Sequence, residues 1–245
     1  MRKWLLLILF AGVFLFALAA NAPLSFALKK SGAIQQGVSW QQARGTVWHG
    51  QVTGLAVRGE PIGAVEGDFS LMRALGGKPG HLLHWVGPQG RGSGLVTPAN
   101  KGLRIEEGRT ALIFNATRIS PMFPSRDVDL RLSNASIEFD QDGCLSASAN
   151  VVTDALARIS TAYGSNWPEL SGTLSCQDGD LIVSVEGQAA DGTHIAASAS
   201  LSGRGRLELW DVPENQVKAL LVAGFTDEAG RLVYEQPIPN GGSIQ

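Results

Sequence analysis

The sequence predicts a mainly β protein: a single N-terminal transmembrane helix followed by an antiparallel β-rich domain with one or two short helices. Three observations carry this. Trp4 to Ala20 is an unbroken apolar and small-residue run, and nothing after Lys30 repeats it. Past it, apolar residues recur with period two, the spacing of a strand with one buried face. Between these stretches lie Asp178-Gly179, Asp191-Gly192 and Gly203-Arg204-Gly205, which suit tight hairpin turns.

The N-terminal run follows only Met1, Arg2 and Lys3, and its apolar character continues from Ala22 to Leu28 before stopping at Lys29-Lys30. The inner run alone makes about 25 Å of helix, against a hydrocarbon core of about 30 Å. A helix satisfies its backbone internally, so lipid is a natural solvent for it. Ala17-Leu18-Ala19 and Ala20-Asn21-Ala22 both resemble signal cleavage sites. The second would leave Pro23 first, a poor substrate, and the run exceeds a usual signal core of about 7–15 residues. An uncleaved signal anchor is therefore preferred to a removed peptide. With no cysteine near it, a lipoprotein signal is excluded. The basic start holds the N-terminus inside and directs the rest of the chain to export, although Lys29 and Lys30 flank the far end. The expected organisation is an anchor over residues 1–28, a polar linker over 29–44, a β-rich domain over 45–236 and a disordered tail over 237–245.

In the first half of the body, candidate strands are Gly45 to Val57, Val65 to Met72, Leu82 to Val86, Gly94 to Val96, Leu103 to Glu106 and Thr110 to Ile119. Asp127 to Leu132 alternates charge and apolar residues. From about Glu169 to Asp211 the faces are Leu170-Gly172-Leu174-Cys176, Leu181-Val183-Val185, Ile195-Ala197-Ala199-Leu201 and Leu207-Leu209, an antiparallel meander. Two helices interrupt the pattern. One runs from Thr153 to Tyr163, with Leu156, Ile159 and Tyr163 at helical spacing and Thr153 or Asp154 as cap. The other runs from Pro213 to Phe225.

Net charge is −2, charged residues make up 17% and no basic block exceeds a pair, which argues against a nucleic-acid surface. The two cysteines, Cys144 and Cys176, flank the first helix. In an exported domain an even pair reads first as a disulfide, with two buried free thiols as the alternative. Zinc is disfavoured, since no histidine or further cysteine stands at ligand spacing.

Catalytic signatures do not emerge. His49, His81, His84 and His194 are the only histidines, and His81 and His84 lack a third ligand nearby. There is no G-x-S-x-G elbow, and the glycine-rich run 87–94 matches neither dinucleotide nor P-loop spacing, reading instead as a hairpin. Asp127 with Asp129, and Glu106 with Glu107, read as solvated strand faces. Asn115-Ala116-Thr117 and Asn134-Ala135-Ser136 are glycosylation sequons only in a eukaryotic source. No cofactor and no catalytic or metal site is expected.

Gly45-Thr46-Val47-Trp48-His49-Gly50, after a short anchor and a polar linker, resembles the N protein of the bacterial type II secretion system. Leu83-His84-Trp85 is similar to that family's next tryptophan strand. Cys144 and Cys176, bracketing a helix, look like its paired cysteines, and Leu170 to Cys176 with the Asp178-Gly179 turn resembles its C-terminal pattern. The resemblance implies a non-enzymatic single-pass protein of the cell inner membrane with its bulk in the periplasm. It would help move folded periplasmic proteins across the outer membrane, with other secretion components as partners and the lipid bilayer contacted through the N-terminal helix. Motif residues carried over are Gly45, Thr46, Val47, Trp48, Gly50 and Trp85. An edge for strand addition is expected on Gly45 to Val57 or on the Glu169 to Asp211 meander. Two other classes compete. One is an envelope lipid-handling protein with an anchored β-sheet groove, which a continuous open apolar groove would favour over two covered faces. The other is a periplasmic hydrolase, which a pocket gathering His81 or His84 with carboxylates would favour.

Overall fold

The computed structural model describes residues 2–77, 79–99, 102–115, 117, 125–140, 142–160, 166–200 and 202–237, leaving aside the side chains of residues 2, 3, 5, 6, 8, 236 and 237. The chain divides into two compact units, Met1–Pro88 and Gln89–Gln245. Both are antiparallel β-structures with few helices.

The first unit opens with α1 (Arg2–Ala20) and α2 (Leu24–Lys30). The apolar run expected as one segment through Leu28 therefore breaks at residues 21–23. The Asn21 side-chain amide donates to Ala17 O at 2.8 Å, closing the first helix. Pro23, with no N–H to continue the ladder, sits at the cap of α2 with φ −67°. Among the described residues, which omit the side chains of Leu5, Leu6 and Ile8, no helix is long and apolar enough to cross a membrane. The spanning helix expected from the sequence is thus not a finding of the fold.

A 3-10 turn (Ala33–Gln36), β1 (Val38–Ser39), β2 (Gln42–Gly45), β3 (His49–Val57), β4 (Glu60–Phe69), α3 (Leu71–Leu75) and β5 (His81–Gly87) complete this unit. Residues 29–44, which composition presents as a linker, thus hold the end of α2 and two short strands. β3 is central: β4 pairs along one side, and β1 and β2 share the other. β5 pairs with β4. The expected strand Val65 to Met72 stops at Phe69 because Ser70 caps α3, its hydroxyl accepting from Arg73 N at 3.4 Å.

The second unit contains β6 (Gly90–Pro98), β7 (Leu103–Asn115), β8 (Asp127–Phe139), β9 (Cys144–Thr153), α4 (Ala155–Ser160), β10 (Leu170–Gln177), β11 (Asp180–Gln188), β12 (His194–Ser200), β13 (Arg204–Trp210), α5 (Glu214–Val222), β14 (Thr226–Glu228) and β15 (Arg231–Pro237). Their spatial order is the chain order except at the end, where β15 lies beside β13 and β14 lies outermost. Of the two expected strands Leu103 to Glu106 and Thr110 to Ile119, the first and the part of the second through Asn115 belong to the single strand β7. A bulge with Glu107 at φ 54° interrupts its alternation and splits the strand into two stretches in the sequence. The last positions of that expected strand, Tyr163 in the expected first helix, and the tail beyond Pro237 lie outside the described residues.

Register explains the core. One cross-strand row is Leu130, Thr153, Leu170, Gly187, Ile195, Leu209 and Leu232; the next on that face is Leu132, Val151, Gly172, Val185, Ala197 and Leu207. Ile195 and Leu209 are 0% exposed. Leu156 of α4, Trp167, and Val217 and Leu220 of α5 pack over this face. The intervening rows are polar: Asn150, Thr173, Ser184, Ser198, Arg206 and Glu235 form one. Antiparallel sheets commonly carry one packed and one solvated face, which is the arrangement here. Cys144 and Cys176 are bridged, with Cα atoms 5.6 Å apart, and the bridge joins the ends of β9 and β10 around the connection that contains α4.

Candidate functional site

The motif Gly45 to Gly50 does not form one strand. It is the reversal between β2 and β3, and it lies against the C-terminal end of α1. Gly45, at φ 83°, starts the reversal; a Cβ there would meet His49 O at 2.4 Å. Thr46 Oγ1 accepts from the backbone N–H groups of Trp48 (3.3 Å) and His49 (3.2 Å), and Thr46 N donates to His49 O at 2.9 Å. These bonds fix the turn locally, with the hydroxyl standing in for a strand partner.

The turn then reaches the helices. Trp48 Nε1 donates to Ala19 O at 2.8 Å. Val47 N donates to Ala22 O at 3.0 Å, and Thr46 pairs with Pro23 as an isolated bridge. Ala19 O also accepts from Ala22 N at 3.3 Å, so the indole N–H is its second and shorter donor, on a carbonyl at the helix end where the regular i+4 donor is lost. Gly50 is required by packing: a Cβ would lie 2.6 Å from Thr46 O and 2.7 Å from Leu24 Cδ2.

Behind the turn, Phe69 at the end of β4 meets the Trp48 ring edge-on, with centroids 5.0 Å apart, and donates its N–H to Trp48 O at 2.7 Å. His81, at the start of β5, packs 5.2 Å from Phe69 and bonds Val47 O through Nε2 at 2.9 Å. His49 pairs with Asp68. Thr46, Val47 and Trp48 are therefore held at one end of the β3–β4–β5 sheet. Trp85 stands further along β5, its Nε1 donating to Ile62 O at 2.7 Å. It supports the sheet interior and does not join the turn. Sequence reading missed Phe69, Asn21 and the role of His81, because each acts through a partner that no local pattern points to.

Several of the remaining candidates have structural partners. His81 and His84, three apart on a strand, point to opposite faces. Asp129 pairs with Arg131 at 3.2 Å, while Asp154 takes Arg158 at 2.6 Å and accepts Asp129 N at 2.7 Å. Glu106 sits 3.8 Å from Arg104, which is bound more closely by Glu138 at 2.7 Å. Asn115 Oδ1 accepts from Thr117 Oγ1 at 2.8 Å. The glycine-rich run 87–94 falls at the junction of the two units, with Gly87 ending β5 and Gly90 opening β6. Among the described residues no group of three or more His, Cys, Asp or Glu side chains could hold a metal ion.

The expected pairing edges are covered. β3 has neighbours on both sides, and the meander lies between β9 and β15. The outermost described strand of the second unit is instead β14, only three residues long and carrying Asp227 and Glu228, which suits it poorly to further pairing.

The sequence profile described as Type II secretion system (T2SS), protein N matches residues 36–233. The chain belongs to this family. No curated protein and no solved structure gives a match. The T2SS N match starts after α2, so the motif turn, Phe69, His81 and both cysteines fall within it, whereas the helix that the turn contacts precedes it.

The polar face of the second unit ends in an ionic cluster. Arg206 binds Glu208 at 2.7 Å, Glu228 at 3.2 Å and also Glu235; Arg231 reaches Glu208 at 3.1 Å and lies over the Trp210 ring at 5.0 Å. The hydrogen bond from Arg206, with help from Arg231, holds the Glu208 carboxyl below its ordinary range. The shallow depression on this face is lined by Thr173, Ser184, Glu186, Ser198, Arg206 and Glu208. Val185, Ala196 and Ala197 also line it, so the surface is mixed and differs from the continuous open apolar groove that would favour a lipid carrier.

Proposed function

We propose that this T2SS N protein is a non-enzymatic, single-pass component of the inner-membrane part of the secretion machinery. Its bulk lies in the periplasm, where it assists the export of folded proteins across the outer membrane through contacts with other secretion components. Membership of the T2SS N family supports the pathway. The single observation that carries the tethered role is the contact between the motif turn and the end of α1, above all Trp48 Nε1 to Ala19 O at 2.8 Å.

α1 supports the anchor by its composition and exposure. Its 19 residues make about 28 Å of helix, and Trp4, Leu7, Phe10, Phe14 and Phe16 are exposed large apolar side chains. Counted with Leu5, Leu6 and Ile8, the run from Trp4 to Ala20 has the length of a spanning segment. Water is an unfavourable surrounding for so many exposed rings on one helix. The non-enzymatic reading rests on the chemistry-bearing side chains, which are engaged in structural pairings: His49 with Asp68, His81 with Val47 O, Asp154 with Arg158.

A form carrying residues 31–245 behind a cleavable export signal tests the tether. It should reach the periplasm with its disulfide formed, yet fail to restore secretion in cells lacking the full chain. Full restoration of secretion by that soluble form would overturn the tethered role.

A further inference from the structure

α3 is a five-residue helix whose three large apolar residues have little to pack against. Leu71 is 71% exposed, Met72 81% and Leu75 83%. At 100° per residue they fall within one arc of the helix, so a single turn presents a compact apolar face. Scattered exposed apolar residues need no explanation; three on one face of a capped turn do.

Position identifies what covers that face. β4 ends at Phe69, whose ring lies 5.0 Å from that of Trp48, the residue that donates to Ala19 O at the end of α1. Only Ser70 separates Phe69 from Leu71, a reach of at most about 7 Å. The apolar face of α3 therefore begins at the same end of the β3–β4–β5 sheet as the indole that caps the anchor. The interfacial layer of a bilayer is on the order of 5–7 Å deep on each side. Trp48 at the lipid end of α1 occupies the level at which tryptophans concentrate in membrane proteins. The neighbouring charges also suit a headgroup layer: Lys29 and Lys30 end α2, and the one charge within α3, Arg73, is basic.

We propose that α3 is a second membrane contact, its Leu71, Met72 and Leu75 inserted into the interfacial layer of the bilayer that α1 spans. This rests on the reading of α1 as an anchor. One end of the β3–β4–β5 sheet is then fixed against the lipid surface at two points, which limits how the first unit can tilt about the anchor.

The test uses the full chain in vesicles of phosphatidylethanolamine and phosphatidylglycerol. The native cysteines are bridged and no other is present, so a single introduced cysteine takes an environment-sensitive fluorophore cleanly. Labels go at Met72→Cys, Leu75→Cys, Phe14→Cys in α1, and Val57→Cys at the far end of β3, about 27 Å from its start. Lipids bearing a nitroxide near the headgroup should quench the labels at 72 and 75 at least twofold and leave 57 unchanged, while a deeper nitroxide quenches 14. Quenching at 14 with none at 72 or 75 overturns the second contact and leaves the anchor standing. Absence of quenching at all four positions overturns the anchor and the inference with it.

Discussion

The two units are both antiparallel sheets, but different things organise them. In the second, successive strands repeat one instruction: apolar residues inward, serine, threonine and charge outward, over a row from Leu130 to Leu232 that register keeps in line. In the first, the defining contacts are made by a turn, and its glycines and aromatics serve positions that no periodicity marks. Gly45 takes a left-handed conformation, Gly50 leaves room for Leu24, and Trp48 spans from residue 48 back to residue 19. A sheet that repeats tolerates substitution along its length. A turn that docks a helix depends on a few residues.

The largest expected difference between the units comes from the disulfide. Cys144 and Cys176 are separated by 32 positions; closing such a loop stabilises by about 3–4 kcal/mol on the chain-entropy account. Replacing both by serine should lower denaturant stability of the second unit by that order. Amide exchange should accelerate in β9 and β10 first, with β3 and β4 protected as before. Equal acceleration in both units would mean that they unfold as one cooperative body, and the contrast between them would fail.

That asymmetry also explains what was legible in the sequence. The strands around Leu170 to Leu209 and their Asp178-Gly179 and Gly203 turns could be read from alternation, since Asp178 and Gly179 adopt φ 52° and 79° as a two-residue hairpin requires. β9 was not separable, because Leu145-Ser146-Ala147-Ser148-Ala149 has little contrast between its faces. The fusion of two expected strands into β7 was hidden by the bulge at Glu107. At the motif, the residues were visible but their arrangement was not: Gly45 to Val57 reads as one strand, and only the Thr46 hydroxyl, bonding two backbone amides, turns it into a corner. Phe69 and His81 carry no local signal, since their partners are 21 and 34 positions away.

A smaller effect should distinguish the motif turn from an ordinary hairpin. Gly50→Val places atoms where Thr46 O and the Leu24 side chain stand, 2.6 and 2.7 Å from the first added carbon. Overpacking of this kind costs about 1–3 kcal/mol, and here it should be spent in separating the turn from α2. Secretion should fall and proteolysis should increase between residues 20 and 50, while the second unit keeps its thermal transition. Leu24→Ala combined with Gly50→Val should recover part of the loss, because the shorter side chain removes one of the two clashes. If the single variant behaves like the parent in both assays, the turn does not clamp the helix.

The smallest effect concerns acid. Glu208 is held low by hydrogen bonds from Arg206 and Arg231, Asp180 by the Ser202 hydroxyl, and Asp191 by the Thr193 backbone amide. Each folded value is depressed, so the stability these groups contribute is fully present above their unfolded pKa values, about 4, and is lost as pH falls through the folded ones. The second unit should therefore show a flat thermal midpoint above about pH 5 and a declining one below about pH 4. Arg206 and Glu208 are partly exposed, so solvent screens their pair and its contribution is small. Glu208→Gln should lower the midpoint slightly at pH 7 and make the decline below pH 4 shallower, with 0.5 M salt reducing the difference at pH 7. An unchanged slope in that variant would shift the acid sensitivity to Asp180 and Asp191, which tie the hairpin turns at the two ends of the meander: Asp180 to Ser202, and Asp191 to Gln216 of α5. The ionic face would then govern what the second unit presents to its surroundings more than how firmly it is folded.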